Sequence, residues 1–183
     1  MTHDPIRTCV LGLFALLVVI ASIEDLLSYT IPNWVSLSLA LAFVPAAYLC
    51  ETTPGMHPAG IFPPGMLEAL GLGLGMLVLG MLLFALKWVG GGDAKLLAAT
   101  SLWLGLPGLA PFLVFTALAG GVLALGLLAL RSGWVRPLAA AGPAWVERLA
   151  RPGAAAPYGV AIAVGALASF PHGLIWNGAH VGF

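Results

Sequence analysis

The segment Gly90-Gly91-Gly92-Asp93-Ala94-Lys95 places a carboxylate and an amine directly after three glycines and between two hydrophobic runs. The 183-residue chain has only seven acidic and seven basic residues. An ionisable residue near the hydrocarbon of a bilayer costs about 3 kcal/mol or more, so it is a candidate for function by default. Asp93 is therefore the first candidate for chemistry, and acid–base catalysis would require a second carboxylate beside it.

The other six acidic residues fall into two groups according to their position relative to the hydrophobic runs. Four of them lie at outer ends, in loops or among arginines and are most simply solvated charges: Asp4, Glu51, Glu68 and Glu147. Glu24 and Asp25 end the first hydrophobic run, as Asp93 follows the third. Neighbouring residues on a helix point about 100° apart, so only one of Glu24 and Asp25 can easily face Asp93.

Two carboxylates brought together in a dry site cannot both ionise comfortably, so one of them keeps a proton. The ionised group can activate water, while the protonated one protonates the carbonyl oxygen or the leaving amine of a peptide bond. This chemistry needs no metal and no cofactor, and we expect neither. A histidine triad or a histidine zinc site is poorly supported, because all four histidines lie on the outer side or in the tail: His3, His57, His172 and His180.

The composition determines the kind of protein that positions these carboxylates. Hydrophobic residues make up 61% and charged residues 8% of the chain, and the mean hydropathy is +1.05. A soluble domain has roughly 25% charged residues. The apolar runs are continuous rather than alternating, which predicts an all-α, polytopic membrane protein forming a single domain over residues 1–183. The zero net charge gives no sign of nucleic-acid binding.

About twenty apolar residues cross a bilayer, and we expect about six transmembrane helices with the N-terminus outside. The expected apolar segments are 6–23, 34–50, 66–88, 96–106, 109–130 and 158–176. The first is expected to be retained, because Ala21-Ser22 is a poor signal-peptide cleavage site. The piece 96–106, closed by Pro107-Gly108, is expected to be short or partly re-entrant.

The connections between these helices also carry signals. Four prolines mark the loop 51–65 as extramembrane. The connector 26–33 contains Pro32-Asn33, and Pro32 suits the first position of the next helix. The more polar segment 131–157 is expected to lie in the cytoplasm or along the membrane surface.

The cations indicate the orientation, because cytoplasmic loops carry an excess of lysine and arginine. Only Arg7 lies on the side opposite to the connectors that follow the first, third and fifth segments. Those connectors hold the other six cations: Lys87, Lys95, Arg131, Arg136, Arg148 and Arg151. They are therefore expected to be cytoplasmic, and Asp25 and Asp93 reach that same face.

A simpler interpretation of the glycine segment is a flexible cytoplasmic loop in which Asp93 caps the following helix. Lys95 would then be an ordinary lysine whose amine extends to the membrane interface. In the functional interpretation, Gly90, Gly91 and Gly92 allow the chain to break at the membrane edge while a substrate strand lies against it.

Three segments resemble motifs of the type IV prepilin peptidases, which are intramembrane aspartic proteases. GGGDAKLL at 90–97 is similar to that family's GxGD motif, and IEDLLSYTIPNW at 23–34 resembles its first motif. PYGVAIAVG at 157–165 resembles its last helix. The resemblance implies that Asp25 and Asp93 are the catalytic pair, and that Pro32, Asn33, Gly90, Gly91, Gly92 and Lys95 are supporting motif positions.

The resemblance also implies a substrate and a location. The substrate would be a prepilin, anchored in the lipid of the inner membrane by one hydrophobic helix and carrying a short basic leader in the cytoplasm. The chain lacks the paired CxxC cysteines of the larger bifunctional members. It therefore resembles the small peptidase-only branch found with tight-adherence (Flp-type) pili, and no methyltransferase activity is expected. The connector between Asp25 and Pro32 lacks the basic residues that members often carry there.

Two other functions are compatible with the residues alone. A small transporter could use Asp25 and Asp93 as an ion or proton relay, although relays usually place acids deep within the spans. A non-catalytic assembly subunit could hold the same acids for structural reasons.

Overall fold

The computed structural model describes residues 5–51, 65–132, 142–151 and 153–177. These residues form helices and no strand, which confirms the all-α class. The helices are α1 Pro5–Ser28, α2 Asn33–Glu51, α3 Met66–Ala85, α4 Gly91–Leu130, α5 Ala144–Leu149, α6 Tyr158–Ser169 and α7 Leu174–Asn177, with a 3-10 turn Phe170–His172 before α7. Most of the proline-rich loop predicted at 51–65, and residues 133–141 of the polar segment, lie outside the described residues.

Three stretches of these helices are long and apolar enough to cross a membrane: Thr8–Ser28, Met66–Ala85 and Gly91–Leu130. Asn33–Leu49 and Tyr158–His172 are shorter apolar helices. Large hydrophobic side chains cover much of the outer surface, as in Val122 and Leu125, which are 72% and 69% exposed. Such a surface suits lipid rather than water, so the predicted polytopic membrane protein is confirmed.

Helix α4 is broken at Gly105, whose φ of 60° and ψ of −171° are not helical. A side chain rarely adopts this φ, so glycine is needed there. The prediction that Pro107-Gly108 closes the short helix is therefore wrong by two residues. Pro107 lies in the first turn after the break, where proline is tolerated because the missing N–H has no helical partner.

The two arms of α4, residues 91–104 and 106–130, run in opposite directions. Asp93 near its start lines a cavity together with Ala155. Arg131 directly after its end donates a hydrogen bond to the same Ala155 carbonyl at 3.4 Å. Gly105 instead lies against Leu174. The first arm is only about 21 Å long at 1.5 Å per residue, shorter than the roughly 30 Å hydrocarbon core. It is the short helix predicted at 96–106.

Three other helix boundaries differ from those expected. Helix α1 continues to Ser28, beyond the predicted end at residue 23, so Asp25 lies in its last turn and the connector shrinks to residues 29–32. Helix α3 ends at Ala85 rather than residue 88. The last predicted segment, 158–176, is interrupted by the 3-10 turn that contains Pro171.

The core is centred on Trp103 in the first arm of α4. Its side chain is fully buried and donates an indole hydrogen bond to the Leu39 carbonyl at 2.9 Å. Its ring lies 5.2 Å from that of Phe14 and 6.2 Å from that of Phe43. Trp103 thus joins α1, α2 and α4 near the end of the first arm of α4.

Replacing Trp103 with phenylalanine is expected to lower the free energy of unfolding by about 1–3 kcal/mol, because it removes a buried donor and leaves a small cavity. Thermal unfolding in detergent measures the change. Trp34→Phe is the control, since Trp34 is 52% exposed on α2. Equal shifts for the two variants would contradict the role assigned to Trp103.

Candidate active site

Asp25 is a buried carboxylate held by the start of another helix. It is 5% exposed, and its Oδ2 accepts a hydrogen bond of 2.6 Å from the backbone N–H of Gly159 in the first turn of α6. An ionised acceptor shortens and strengthens such a bond, and the N-terminal end of a helix favours negative charge. Helix α6 therefore fixes one carboxylate oxygen of Asp25.

Glycine at position 159 is required by the closeness of α1 and α6. A Cβ atom on Gly159 would lie 2.9 Å from both the Cβ and the Oδ2 of Asp25. Such separations are shorter than real Cβ contacts, so any side chain would push the two helices apart. This gives the Pro157-Tyr158-Gly159 segment a physical role beside Asp25.

Asp93 is the third residue of α4 and not its N-cap. The N-cap is Gly90, in an extended conformation with φ −68° and ψ 148°. The Asp93 carboxyl reaches back to the backbone N–H of Gly90, as an acidic residue at this helix position commonly does. The capping alternative is thus correct in part, but the contact leaves the carboxyl at the mouth of a cavity.

The two carboxyl groups line a single cavity of about 820 Å³ at one end of the helices. Asp25 acts electrostatically on Asp93 there. Glu24 does not line this cavity, so Asp25 is the member of the adjacent pair that faces Asp93. The rest of the lining is mostly apolar and consists of Tyr29, Phe84, Ala85, Lys87, Trp88, Val89, Gly90, Ala155, Ala156 and Tyr158. Two carboxyls in such surroundings disfavour the doubly ionised state.

The break between α3 and α4 includes only the first glycine of the triplet, Gly90. Residues 86–90 form it, and Lys87 adopts the left-handed conformation with φ 61°. Gly91 and Gly92 already belong to α4. A Cβ on Gly92 would lie 3.0 Å from the Cβ of Ile31. Gly92 therefore allows the start of α4 to approach the connector that precedes α2, while Gly90 belongs to the break itself.

Lys95 and Asn33 form a pair on a different face of α4. The Lys95 Nζ donates a hydrogen bond of 2.8 Å to the Asn33 Oδ1. Neither residue lines the cavity with Asp25 and Asp93; both line a separate apolar groove between α2, α3 and α4. The Pro32 carbonyl accepts the Val35 N–H at 3.1 Å and begins α2. Lys95 and Asn33 therefore join α4 to α2, and neither of them nor Pro32 lines the cavity of the carboxyl pair.

Sequence reasoning missed two arginines that fix the cavity wall. Arg131 donates to the carbonyls of Leu149 and Ala154, both at 2.9 Å. Arg148 donates to the Leu27 carbonyl at 2.9 Å, next to the last turn of α1. Their clustering in one polar segment was visible in the sequence, but their carbonyl partners were not.

No curated protein and no solved structure matches the chain. A family model described as the type IV leader peptidase family matches residues 12–125, which is more than half of the chain. The match includes Asp25, the Ile31-Pro32-Asn33 connector and the Gly90–Lys95 segment, and it ends before α6. The chain therefore belongs to the type IV leader peptidase family and is a membrane peptidase.

Proposed function

We propose that this peptidase is of the aspartic type and removes the leader of type IV-like prepilins with Asp25 and Asp93. The observation that carries the proposal is that these two carboxyls, 68 residues apart in sequence, line one cavity. Of the acidic residues in the described part of the chain, only these two line it. A peptide bond placed between them meets an acid and a base together.

The proposed reaction is the hydrolysis of one peptide bond. The ionised carboxylate takes a proton from water as the water oxygen bonds to the carbonyl carbon, and the protonated carboxyl gives its proton to the carbonyl oxygen. The C–N bond then breaks as the newly protonated carboxyl gives its proton to the leaving amine, and the other carboxylate takes a proton from one hydroxyl of the diol, which leaves the new carboxylic acid and restores the pair. Either carboxyl can take either role, because a coupled pair titrates as a unit.

The gathering of cations around the cavity supports an active site that faces the cytoplasm. Lys87 lines the cavity, and Arg131 and Arg148 bind carbonyls next to it. Excess lysine and arginine marks the cytoplasmic side of an inner-membrane protein. The basic leader of a membrane-anchored prepilin would lie on this side.

The transporter alternative receives less support from the positions of the acids. Asp25 lies in the last turn of α1 and Asp93 in the first turn of α4. A relay across the membrane needs ionisable groups deep in the spans.

The absence of CxxC pairs in the sequence favours a peptidase without methyltransferase activity.

The test is to co-express a candidate prepilin with the wild-type protein or with Asp93→Asn and to map the pilin N-terminus by mass spectrometry. We expect a shortened pilin with the wild type and a full-length prepilin with Asp93→Asn. Glu68→Gln is the matched control, because Glu68 lies in the first turn of α3 and the cavity lies at the other end of that helix. We expect this variant to process the prepilin normally. Normal processing by Asp93→Asn, inserted at the wild-type level, would refute the proposal.

A further inference from the structure

Tyr29 occupies an unusual backbone position directly after α1. Its φ is 54°, in the left-handed region, and its N–H donates to the Asp25 carbonyl at 2.9 Å. This is the hydrogen bond of the left-handed helix ending, where glycine is the common residue because it lacks a Cβ. In the described chain, the non-glycine residues with positive φ are Tyr29 and Lys87, and both line the cavity of Asp25 and Asp93.

The hydroxyl of Tyr29 is also unusual. It is enclosed by protein and has no hydrogen-bond partner among the described residues. Buried polar groups nearly always have a partner, and one without a partner is costly. Phenylalanine would avoid this cost, and glycine would avoid the backbone strain. Tyr29 thus combines an unpaired buried hydroxyl with a strained backbone, four positions after Asp25. Because neither feature stabilises the fold, both point to a role of Tyr29 in the cavity.

We propose that the Tyr29 hydroxyl is a substrate-binding group that donates a hydrogen bond to a main-chain carbonyl of the peptide in the cavity. The inference rests on the proposed peptidase function and adds a residue that contacts the substrate. Because Tyr29 lines the cavity, a peptide bound there would lie beside its side chain, and a rotation of the ring would bring the hydroxyl to a carbonyl of the peptide. A main-chain carbonyl is an acceptor that any peptide substrate supplies.

Tyr29 suits this role better than the other donors around the cavity. The Gly159 N–H is already bonded to Asp25. Trp88 and Tyr158 are 75% and 43% exposed, and Lys87 is also exposed, so a peptide must displace their water before it binds them. The Tyr29 hydroxyl, by contrast, is shielded from solvent by the protein. A hydrogen bond to it therefore adds more to binding than one to an exposed donor.

The test compares Tyr29→Phe with the wild type, using the purified protein and a synthetic peptide that spans the leader and the first residues of the mature pilin. We expect KM to rise about 3- to 10-fold with kcat within twofold, as for loss of one neutral hydrogen bond made equally in ground and transition states. The thermal midpoint should stay unchanged or rise, because the variant removes an unpaired group. Tyr48→Phe, in α2 and away from the cavity, should leave KM and kcat unchanged.

Wild-type KM in Tyr29→Phe, or a lower thermal midpoint, would overturn the inference. Its failure is separable from failure of the proposed function. If the wild type cleaves the peptide and Asp93→Asn does not, the function stands and Tyr29→Phe decides the inference alone. If the wild type does not cleave, the function fails, and peptide affinity measured for the wild type and for Tyr29→Phe decides the inference: equal affinities overturn it and weaker binding by the variant supports it.

Discussion

Asp25→Asn is expected to reduce the rate of prepilin cleavage on the order of a thousandfold or more, while the protein folds and inserts normally. Asparagine has nearly the same size and keeps an oxygen that can accept the 2.6 Å hydrogen bond from Gly159. It cannot ionise, so it can neither take a proton from water nor return one to the leaving amine. The partner Asp93 would remain in the cavity without a second group to exchange its proton.

The neighbouring acid provides a matched control for this variant. Glu24→Gln removes one negative charge from the same turn of α1, but Glu24 does not line the cavity. We expect its cleavage rate to stay within twofold of the wild type. Single-turnover cleavage of the leader peptide by each purified variant measures the chemical step, and thermal unfolding measured in parallel shows whether the variant folds normally. Equal losses in both variants would show that charge in this turn, rather than the Asp25 carboxyl, is what matters.

The pairing of Asp25 with Asp93 was predicted in two steps. Hydrophobic segment lengths and the distribution of cations predicted that Glu24, Asp25 and Asp93 reach one side of the membrane, and the resemblance of 23–34 to a family motif selected Asp25 over Glu24. The helix ends were less predictable. Glu24 and Asp25 are polar, yet α1 continues to Ser28 because its last turn is covered by Arg148 and α6. Tertiary contacts there outweigh the local signal for a helix end.

The position of the break in α4, at Gly105 rather than at the predicted Pro107-Gly108, was hidden by stronger signals nearby. Pro107 and Pro111 are conventional helix breakers, but both lie within the second arm, and Gly105 alone makes the break. The chain has 24 glycines, and nothing in the sequence distinguishes Gly105 from the others as the one with a positive φ that breaks this helix. The left-handed Tyr29 was equally hidden, because tyrosine is not a residue expected at such a position. The break at Gly105 lies against Leu174, a residue remote in sequence.

Gly159→Ala is expected to lower kcat by about 10- to 100-fold, although only one methyl group is added. The new Cβ would lie 2.9 Å from Asp25 Cβ and Oδ2, so α6 and α1 must separate by several tenths of an ångström. The separation lengthens the bond that orients Asp25, and misplacement of a reacting group by about 1 Å can cost roughly a hundredfold. Cleavage of the leader peptide under saturating conditions measures the effect.

Gly75→Ala is the matched control, because it adds the same methyl group at a glycine with open space around it. Among the described residues, no atom outside the local backbone of α3 lies within 4 Å of a Cβ built on Gly75, in the middle of that helix. Alanine favours a helix over glycine by up to about 1 kcal/mol, so this variant should be as stable as the wild type or more so, with normal kcat. Normal kcat in Gly159→Ala as well would mean that the contact between α6 and Asp25 does not orient the carboxyl for catalysis. A loss confined to Gly159→Ala would instead assign that orientation to α6, which lies beyond the residues that the family model matches.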